Sequence, residues 1–392
     1  MISIEEAKKV IGEQQYPRKT EVVSIHQLEV GAVLAEDIVS PVDLPLFSNA
    51  MMDGYVVSSL SSSYEVIGEI RAGDTENYLL PAGKSYRIFT GAKVPDGSLA
   101  VIMQEKASLS GNKVTFSDEV TAGKNIRLKG DEVQANAMVL AEGTIISPGL
   151  LGFLAKMGVQ DCKVYQKPTI AVLTTGDECK PVGSSLKSGQ IYESNSLMLE
   201  QALAVYGYTL SVKNHCRDTF EETKNMLANL MSKVDVLLVT GGISVGDHDY
   251  VGRCLIDLGV TELFYKVNQK PGKPLFFGRK GNCSVLGLPG NPASALTCFY
   301  QYGLAICRNY SGYRQEDLFL LPVSMKLATD YKKTGSRPEF VRSEYKSNGT
   351  VLPLTGQRSS MLHSYARANC LLYLSAGPQD LIAGQEVLGY LL

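Results

Sequence analysis

Three short loops carry most of the chemistry this chain can offer. Residues 237–250 read LLVTGGISVGDHDY: an apolar run, Gly241-Gly242, a short Ile-Ser244-Val-Gly246 step, then Asp247 and Asp249 around His248. Glycines let backbone N–H groups approach an anion with no Cβ in the way. A following helix adds its positive end, worth about 0.3–1 kcal/mol per charge. Aspartates beside a phosphate would repel it unless a divalent cation sat between them. Hard cations prefer oxygen ligands, which points to Mg²⁺. The plainer reading is a tight Gly-Gly turn, with Asp249 only capping a helix. Thr174-Thr175-Gly176-Asp177-Glu178 has the same form of hydroxyls, glycine and carboxylates. Two such loops weaken the plainer reading. Lys270-Pro271-Gly272-Lys273-Pro274 sets two lysines around a stiff turn. Ammonium groups held together are costly unless an anion shares them, so this segment reads as an oxyanion seat; a solvated turn is the alternative.

Other candidates are weaker. In Leu288-Pro289-Gly290-Asn291-Pro292, Asn291 suits an N-cap and Pro292 the first helical position. Ser294 in that first turn could donate to an anion. Asp53 lies in the turn AMMDGY, and Thr90 ends a strand in FTGAKVP; pattern alone leaves both as possible plain turns. His248 reads first as a solvent-facing or hydrogen-bonded histidine. His26, His215 and His363 are isolated, so no Ser/His/Asp arrangement can be read. There is no dinucleotide-binding or P-loop glycine pattern.

The elements that must position these loops show two textures. From about residue 20 to 146 the chain is strand-rich, with runs such as Tyr64–Ile70, Tyr86–Phe89, Ala100–Met103 and Lys113–Phe116 between glycine and proline turns. At Ser147-Pro148 a helix begins, running to Gly158. Beyond Pro168, strands and helices alternate. Strands are expected over Thr169–Leu173, Thr209–Lys213, Val234–Val239, Phe264–Val267, Leu275–Phe277 and Val285–Leu288. Helices are expected from Ser194-Asn195 to Gly207, over Phe220–Met231 with Asp218 as cap, from Asp249 to Gly259, and from Pro292 to Cys307. Apolar runs of four to six residues, separated by amphipathic helices, imply a mostly parallel sheet with helices on both sides. The acidic glycine loops then fall at strand carboxyl ends, where ligands of such sheets collect. Strand texture returns from about residue 318. Ser3 and Glu6 form a capping box for an N-terminal helix with Ile4, Ala7 and Ile11 on its apolar face.

Composition narrows the class. Among 392 residues, 44% are hydrophobic and 20% charged, as in ordinary globular chains. Lys plus Arg is 38 and Asp plus Glu 40, a net charge of −2, which gives no global field for nucleic acid or membrane. Eight cysteines without close pairing argue against a zinc cluster and for reduced thiols in the cytoplasm. MISIEEAKKVIGEQQ is not a signal peptide, and no run reaches the ~18 apolar residues of a membrane span.

Taken together, NAMMDGYVV, RIFTGAKVP, GQIYESNSLML, LLVTGGISVGDHDY, KPGKPLFFG and LPGNPASA resemble the signatures of the molybdopterin molybdotransferases, or molybdenum insertases. The six motifs stand in family order over nearly the whole chain. The resemblance implies α/β plus β architecture: an N-terminal linker-like region (1–167) with an inserted β-domain at about 47–135, a three-layer α/β molybdopterin-binding domain (168–312), and a C-terminal β-barrel-like domain (318–392). It implies an elongated cytoplasmic homodimer with its active site between subunits. The implied reaction converts adenylylated molybdopterin and molybdate to molybdenum cofactor, releasing AMP with Mg²⁺.

Carried over by position, the resemblance assigns catalytic roles to Asp53, Thr90, Glu178, Asp218, Asp249, Lys266 and Lys270, with Glu132 a less certain match. Asp249 and Asp218 would hold the metal. Gly241, Gly242, Ser244, Gly246, Lys273, Pro289, Pro292 and Ser294 would bind substrate. In the C-terminal domain the anion contacts fall to Arg337 or Arg342 and to Ser359 or Ser360. Met51, the order of Asp131-Glu132, and Glu193 depart from the usual family residues without removing a required group. A separate molybdopterin adenylyltransferase is a possible partner. The alternatives are a non-catalytic scaffold of gephyrin type and the adenylyltransferase activity itself.

Overall fold

The computed structural model describes residues 1–243 and 250–392. The expectations for Ser244, Gly246, Asp247, His248 and Asp249 therefore lie outside the described residues. The chain forms two compact units. One comprises Met1–Val22, Glu29–Ala35 and Lys163–Leu392; the other comprises Val23–Leu28 and Glu36–Cys162.

The second unit is built on a six-stranded sheet in the order 100–103, 54–57, 84–88, 64–70, 113–116, 107–110. Gly54 pairs with Ile88 across the antiparallel strands. A Cβ at Gly54 would lie 2.0 Å from the carbonyl oxygen of Ile102, so only glycine fits there. The helix Pro148–Lys156 starts as read: Ser147 caps it through Leu150 N–H, and Pro148 is at its first position.

In the first unit the N-terminal helix Ile4–Gly12 has the capping box of Ser3 and Glu6. Its Ile4, Ala7 and Ile11 join the core of the α/β sheet. That sheet has six strands: β1 (Ile170–Thr175), β2 (Leu210–Cys216), β3 (Val236–Thr240), β4 (Thr261–Tyr265), β5 (Phe276–Lys280) and β6 (Cys283–Leu288), in the order β2-β1-β3-β6-β5-β4. β2, β1, β3 and β6 are parallel, while β5 and β4 are antiparallel. Every residue of β1, β3 and β6 is buried, which is why these runs do not alternate in polarity. Ile170, Val172, Val236 and Leu238 pack with helices α1 (Asn195–Val205), α4 (Pro292–Cys298) and α5 (Leu304–Tyr310). Ala171, Leu173, Leu237 and Val239 face the other way, onto α2 (Phe220–Met231) and α3 (Tyr250–Asp257). Truncating any of these leucines to alanine costs about 2–5 kcal/mol.

Three local expectations are corrected. The helix expected over Pro292–Cys307 is interrupted by a π-helical turn at Phe299–Gly303. Gly303 there lies against Phe299 and Leu286 of β6, with no room for a Cβ. Asp218 is not the cap of α2: Thr219 occupies that position, and no side chain caps the helix. Ser194 does sit at the N-cap of α1, but its hydroxyl makes no capping bond. The carboxylate of Glu193 accepts from Ser196 N–H at 2.9 Å instead.

The chain ends in a closed five-stranded barrel: β7 (Pro322–Leu327), β8 (Glu339–Tyr345), β9 (Thr350–Pro353), β10 (Cys370–Leu374) and β11 (Glu386–Leu391), in the order β7-β9-β8-β10-β11. Closure leaves no free edge to pair with another chain. All eight cysteines are free thiols, and seven are buried. Among the described residues no helix is long and apolar enough to cross a membrane.

Candidate functional site

Strand register brings the sequence-distant loops together. Thr174 pairs with both His215 and Thr240, and Thr240 pairs with Leu288. The carboxyl ends of β2, β1, β3 and β6 are therefore level. The chain leaves β1 for β2 on one side and then returns for β3 on the other. The crevice between β1 and β3 is a topological switch point, the usual ligand position in such sheets.

A cavity of about 610 Å³ opens there, within the usual range for small-molecule sites. It is lined by the loops that follow the strands, including Glu178, Asp218, Gly241, Gly242, Pro289, Pro292 and Ser360. Gly241 has φ +90°, and a Cβ on it would meet the Thr175 hydroxyl at 2.7 Å. Gly242 has φ +59° and is backed at 2.7 Å by Val251. The backbone thus lies bare at the floor. No lysine, arginine or histidine is among the described residues that line it. Burial pushes the Asp218 carboxyl above its usual range. Glu178 and Asp177 add to the push, against hydrogen bonds from Asp177 and the Thr175 hydroxyl. The same field acts on Cys179, whose thiol is pushed up to about 11 by burial first and then by Glu178, Glu193 and Asp218. Among the described residues, the lining here holds carboxylates and no basic side chain. Among the described residues no cluster of three or more His, Cys, Asp or Glu could by itself hold a metal. Asn195 also lines the cavity; its Nδ2 donates to the carbonyl of Gly290 at 2.8 Å. Its Oδ1 is buried with no partner among the described residues.

A second cavity of about 330 Å³ adjoins the first, sharing Pro274, Pro289 and Asn291 with it. Lys270, Lys273, Ser294, Arg337, Arg358 and Ser359 line this one, with no carboxylate among the described residues of the lining. The loop under it is tightly built. Gly272 has φ +85°, and a Cβ on it would lie 2.3 Å from Cys298 Sγ. The buried Gln269 amide donates to the Gly272 carbonyl at 3.2 Å, and Arg337 Nη1 donates to the Gln269 carbonyl at 2.8 Å. Asn291 reaches across with its Nδ2 to Ser359 Oγ at 3.1 Å, so it caps no helix with its side chain. Lys270 is not an unpaired cation as the sequence suggests: Glu339 Oε1 lies 3.1 Å from its Nζ.

The alternatives left in the C-terminal domain separate on burial. Arg342 is fully buried. Its Nε donates to Ser364 Oγ at 2.7 Å, and its Nη2 donates to the carbonyls of Gly356 and Arg358. It holds the loop from beneath and cannot touch a ligand, whereas Arg337 lines the cavity. Ser359 lines the basic cavity and Ser360 the acidic one. Lys266 lines neither; it sits at φ +67° with Nζ 4.7 Å from the Tyr265 ring. Asp53 and Thr90 meet each other in the second unit, where Asp53 Oδ1 accepts from the Thr90 N–H and hydroxyl. Glu132, also there, is paired with Lys156 at 2.6 Å and Arg127 at 2.7 Å. Those two cations, Lys156 foremost, hold its carboxyl below the usual range.

In the sequence Thr175 reads only as a hydroxyl of its loop, Glu193 only as a departure within its motif and Asn195 only as a helix start, while Glu339 is not singled out. Glu193 and Asn195 sit inside GQIYESN, at the start of α1. Glu339 carries no local signal.

Comparison with known proteins agrees in extent with this architecture. Residues 2–158 match the MoeA N-terminal region (domain I and II). Residues 171–308 match the probable molybdopterin binding domain, and 324–392 the MoeA C-terminal region (domain IV). The chain is 33% identical over 406 residues to the molybdopterin molybdenumtransferase of Haemophilus influenzae, covering 99% of this chain and 98% of that protein. It is 30% identical over 398 residues to the Staphylococcus epidermidis protein of the same name, covering 98% and 94%. The crystal structure of the molybdopterin biosynthesis moeA protein from Pyrococcus horikoshii OT3 superposes with TM-score 0.85 at 27% identity, covering all of both chains. With three consecutive matching regions and relatives alike from end to end, the chain belongs to the MoeA family of molybdopterin molybdenumtransferases.

Proposed function

We propose that this chain is a transferase of molybdenum-cofactor biosynthesis that inserts molybdate into adenylylated molybdopterin and releases AMP. The observation that carries the reading is the pair of adjoining cavities of opposite character, one with bare glycine backbone and carboxylates, the other with lysines and arginine. A pyrophosphate-bridged pterin nucleotide suits the first. Its phosphates can accept from the backbone at Gly241 and Gly242, while Asn195 Oδ1, without a partner among the described residues, can accept from a donor on the nucleotide. A tetrahedral dianion suits the second, where Lys270, Lys273 and Arg337 supply charge and Ser294 and Ser359 supply hydroxyls. Pro274, Pro289 and Asn291 would then lie between the two substrates and bring the oxyanion beside the pterin sulfurs.

Magnesium fits the donor set of the first cavity. Among the described residues lining it, the carboxylates of Asp218 and Glu178 have no basic neighbour, and burial already disfavours the Asp218 charge. Asp218, with Asp249, would hold it. Bound there, Mg²⁺ would supply Lewis-acid stabilisation to the departing phosphate of AMP. Asp53 and Thr90, the inter-subunit site of a homodimer, a cytoplasmic location, docking on a separate adenylyltransferase and the three-layer, domain-by-domain division at 1–167, 168–312 and 318–392 belong to the same reading. The end-to-end likeness to molybdopterin molybdenumtransferases supports it.

The test is direct. Purified protein supplied with adenylylated molybdopterin, molybdate and Mg²⁺ should release AMP. Release that is the same without molybdate would reject the reading. Mixing Asp53→Ala with Asp218→Asn protein should restore part of the rate if the site spans two subunits.

A further inference from the structure

We propose that Glu339 is a built-in counter-charge of the Lys270 seat and limits how tightly that seat holds a tetrahedral dianion. The inference rests on the oxyanion reading of the basic cavity. Glu339 opens barrel strand β8 and is 6% exposed. Lys270 comes from a loop 69 positions earlier. Two backbone bonds stitch the segments together: Lys270 N–H to the Pro338 carbonyl at 2.9 Å, and Phe340 N–H to the Lys270 carbonyl at 2.8 Å. The side chains then meet, with Nζ and Oε1 3.1 Å apart.

The contact is asymmetric. The Lys270 side chain is 46% exposed and lines the cavity, while the Glu339 side chain is 8% exposed. An ammonium has three donors, so one bond to Glu339 leaves two for a ligand. The carboxylate has little room to move away. A Cβ on Gly335 would lie 2.5 Å from Glu339 Oε1, and the nearby Lys333 is buried with its ammonium on the carbonyls of Gly335 and Gly377. Burial lowers Lys333, and the charge of Glu339 pulls it back up.

A dianion on the open side of Lys270 would therefore stand roughly 6 Å from a fixed carboxylate, two hydrogen-bond lengths away. At that range the repulsion is worth about tenfold in affinity even in a largely wet setting. In the absence of ligand the same carboxylate neutralises part of the seat. Such a seat captures the oxyanion through Lys273 and Arg337 and can still release it to the adjoining cavity.

The experiment is calorimetric titration of the full-length protein with sodium molybdate. AMP with Mg²⁺ serves as the control for the neighbouring cavity. Glu339→Gln should bind molybdate about tenfold more tightly than wild type and leave AMP unchanged. Lys270→Ala should bind it more weakly. Loss of packing cannot produce a selective gain, so the gain separates this role from a structural one. If Glu339→Gln binds molybdate equally or more weakly while wild type binds it, the inference is overturned and the seat reading stands. If wild type binds no molybdate, the seat reading falls first. Should Glu339→Gln melt below wild type, Glu339→Asp draws the charge back by one methylene. It should show a smaller gain, and no gain overturns the inference.

Discussion

The Asp53 carboxylate accepts two hydrogen bonds from Thr90, one from its backbone N–H at 2.8 Å and one from its hydroxyl at 2.7 Å. The two residues are 37 positions apart. The pairing follows from the register of Gly54 with Ile88, which sets the turn before one strand against the end of the other. Thr90 N–H and then its hydroxyl hold the Asp53 carboxyl below the usual range. A depressed acid stabilises the fold above its unfolded pKa of about 3.9, and the contribution fades as pH falls through the depressed value. Thr90→Val should raise the Asp53 pKa part of the way back, because the backbone bond survives. Carboxyl carbon NMR titration reads this, and an unmoved Asp53 would contradict the hydroxyl's role.

Asp218 has the opposite sign. Burial raises its pKa, so the folded protein favours the neutral form and its charge opposes folding once pH rises through the raised value. Asp218→Asn removes that charge. The melting temperature at pH 7.5–8 should hold or rise, while Mg²⁺-dependent AMP release should fall by roughly a hundredfold or more. A variant that melts lower and turns over normally would place Asp218 outside the machinery.

Lys270→Ala and Arg337→Ala should each weaken molybdate binding by roughly tenfold and leave AMP affinity near wild type, since both residues line only the basic cavity. Equal loss for both ligands in calorimetry would mean that the two cavities do not bind separately.

Arg342→Ala should behave differently. The guanidinium is buried and ties Gly356, Arg358 and Ser364 together. Its loss should cost about 2–4 kcal/mol in denaturant unfolding, from a cavity and three lost bonds. A stability change under about 0.5 kcal/mol, the range of ordinary surface substitutions, would show that the loop does not depend on it.

Gly272→Ala tests the floor of the seat. The site has φ +85° and Cys298 Sγ at 2.3 Å from the added carbon. The cost should be about 2–4 kcal/mol, from backbone strain and overpacking together. Gly73→Ala, with positive φ and open space around it, should cost about 1 kcal/mol and isolates the packing part.

By itself the sequence determined what depends on neighbours along the chain. The largely apolar runs Thr169–Leu173 and Val234–Val239 announced buried strands, which the structure places at Ile170–Thr175 and Val236–Thr240. Ser3 with Glu6 and Ser147 with Pro148 announced helix starts, and Gly241-Gly242 announced an open backbone at a strand end. These signals are local because hydrogen-bond period, side-chain branching and glycine's missing Cβ act within a few residues. Tertiary structure alone decided which charges meet. Register aligned the ends of β1, β2, β3 and β6, which left Asp218 a cavity carboxylate, as the resemblance implied, and not the helix cap that local pattern suggested. Backbone pairing of Lys270 with the start of β8 put Glu339 against Lys270, and the fold buried Arg342 against Gly356, Arg358 and Ser364. No spacing rule could have separated Arg337 from Arg342, five residues apart on one segment. Arg337 precedes β8 and lines the cavity, whereas Arg342 lies within β8 and is buried, because contacts depend on distance in space and not along the chain.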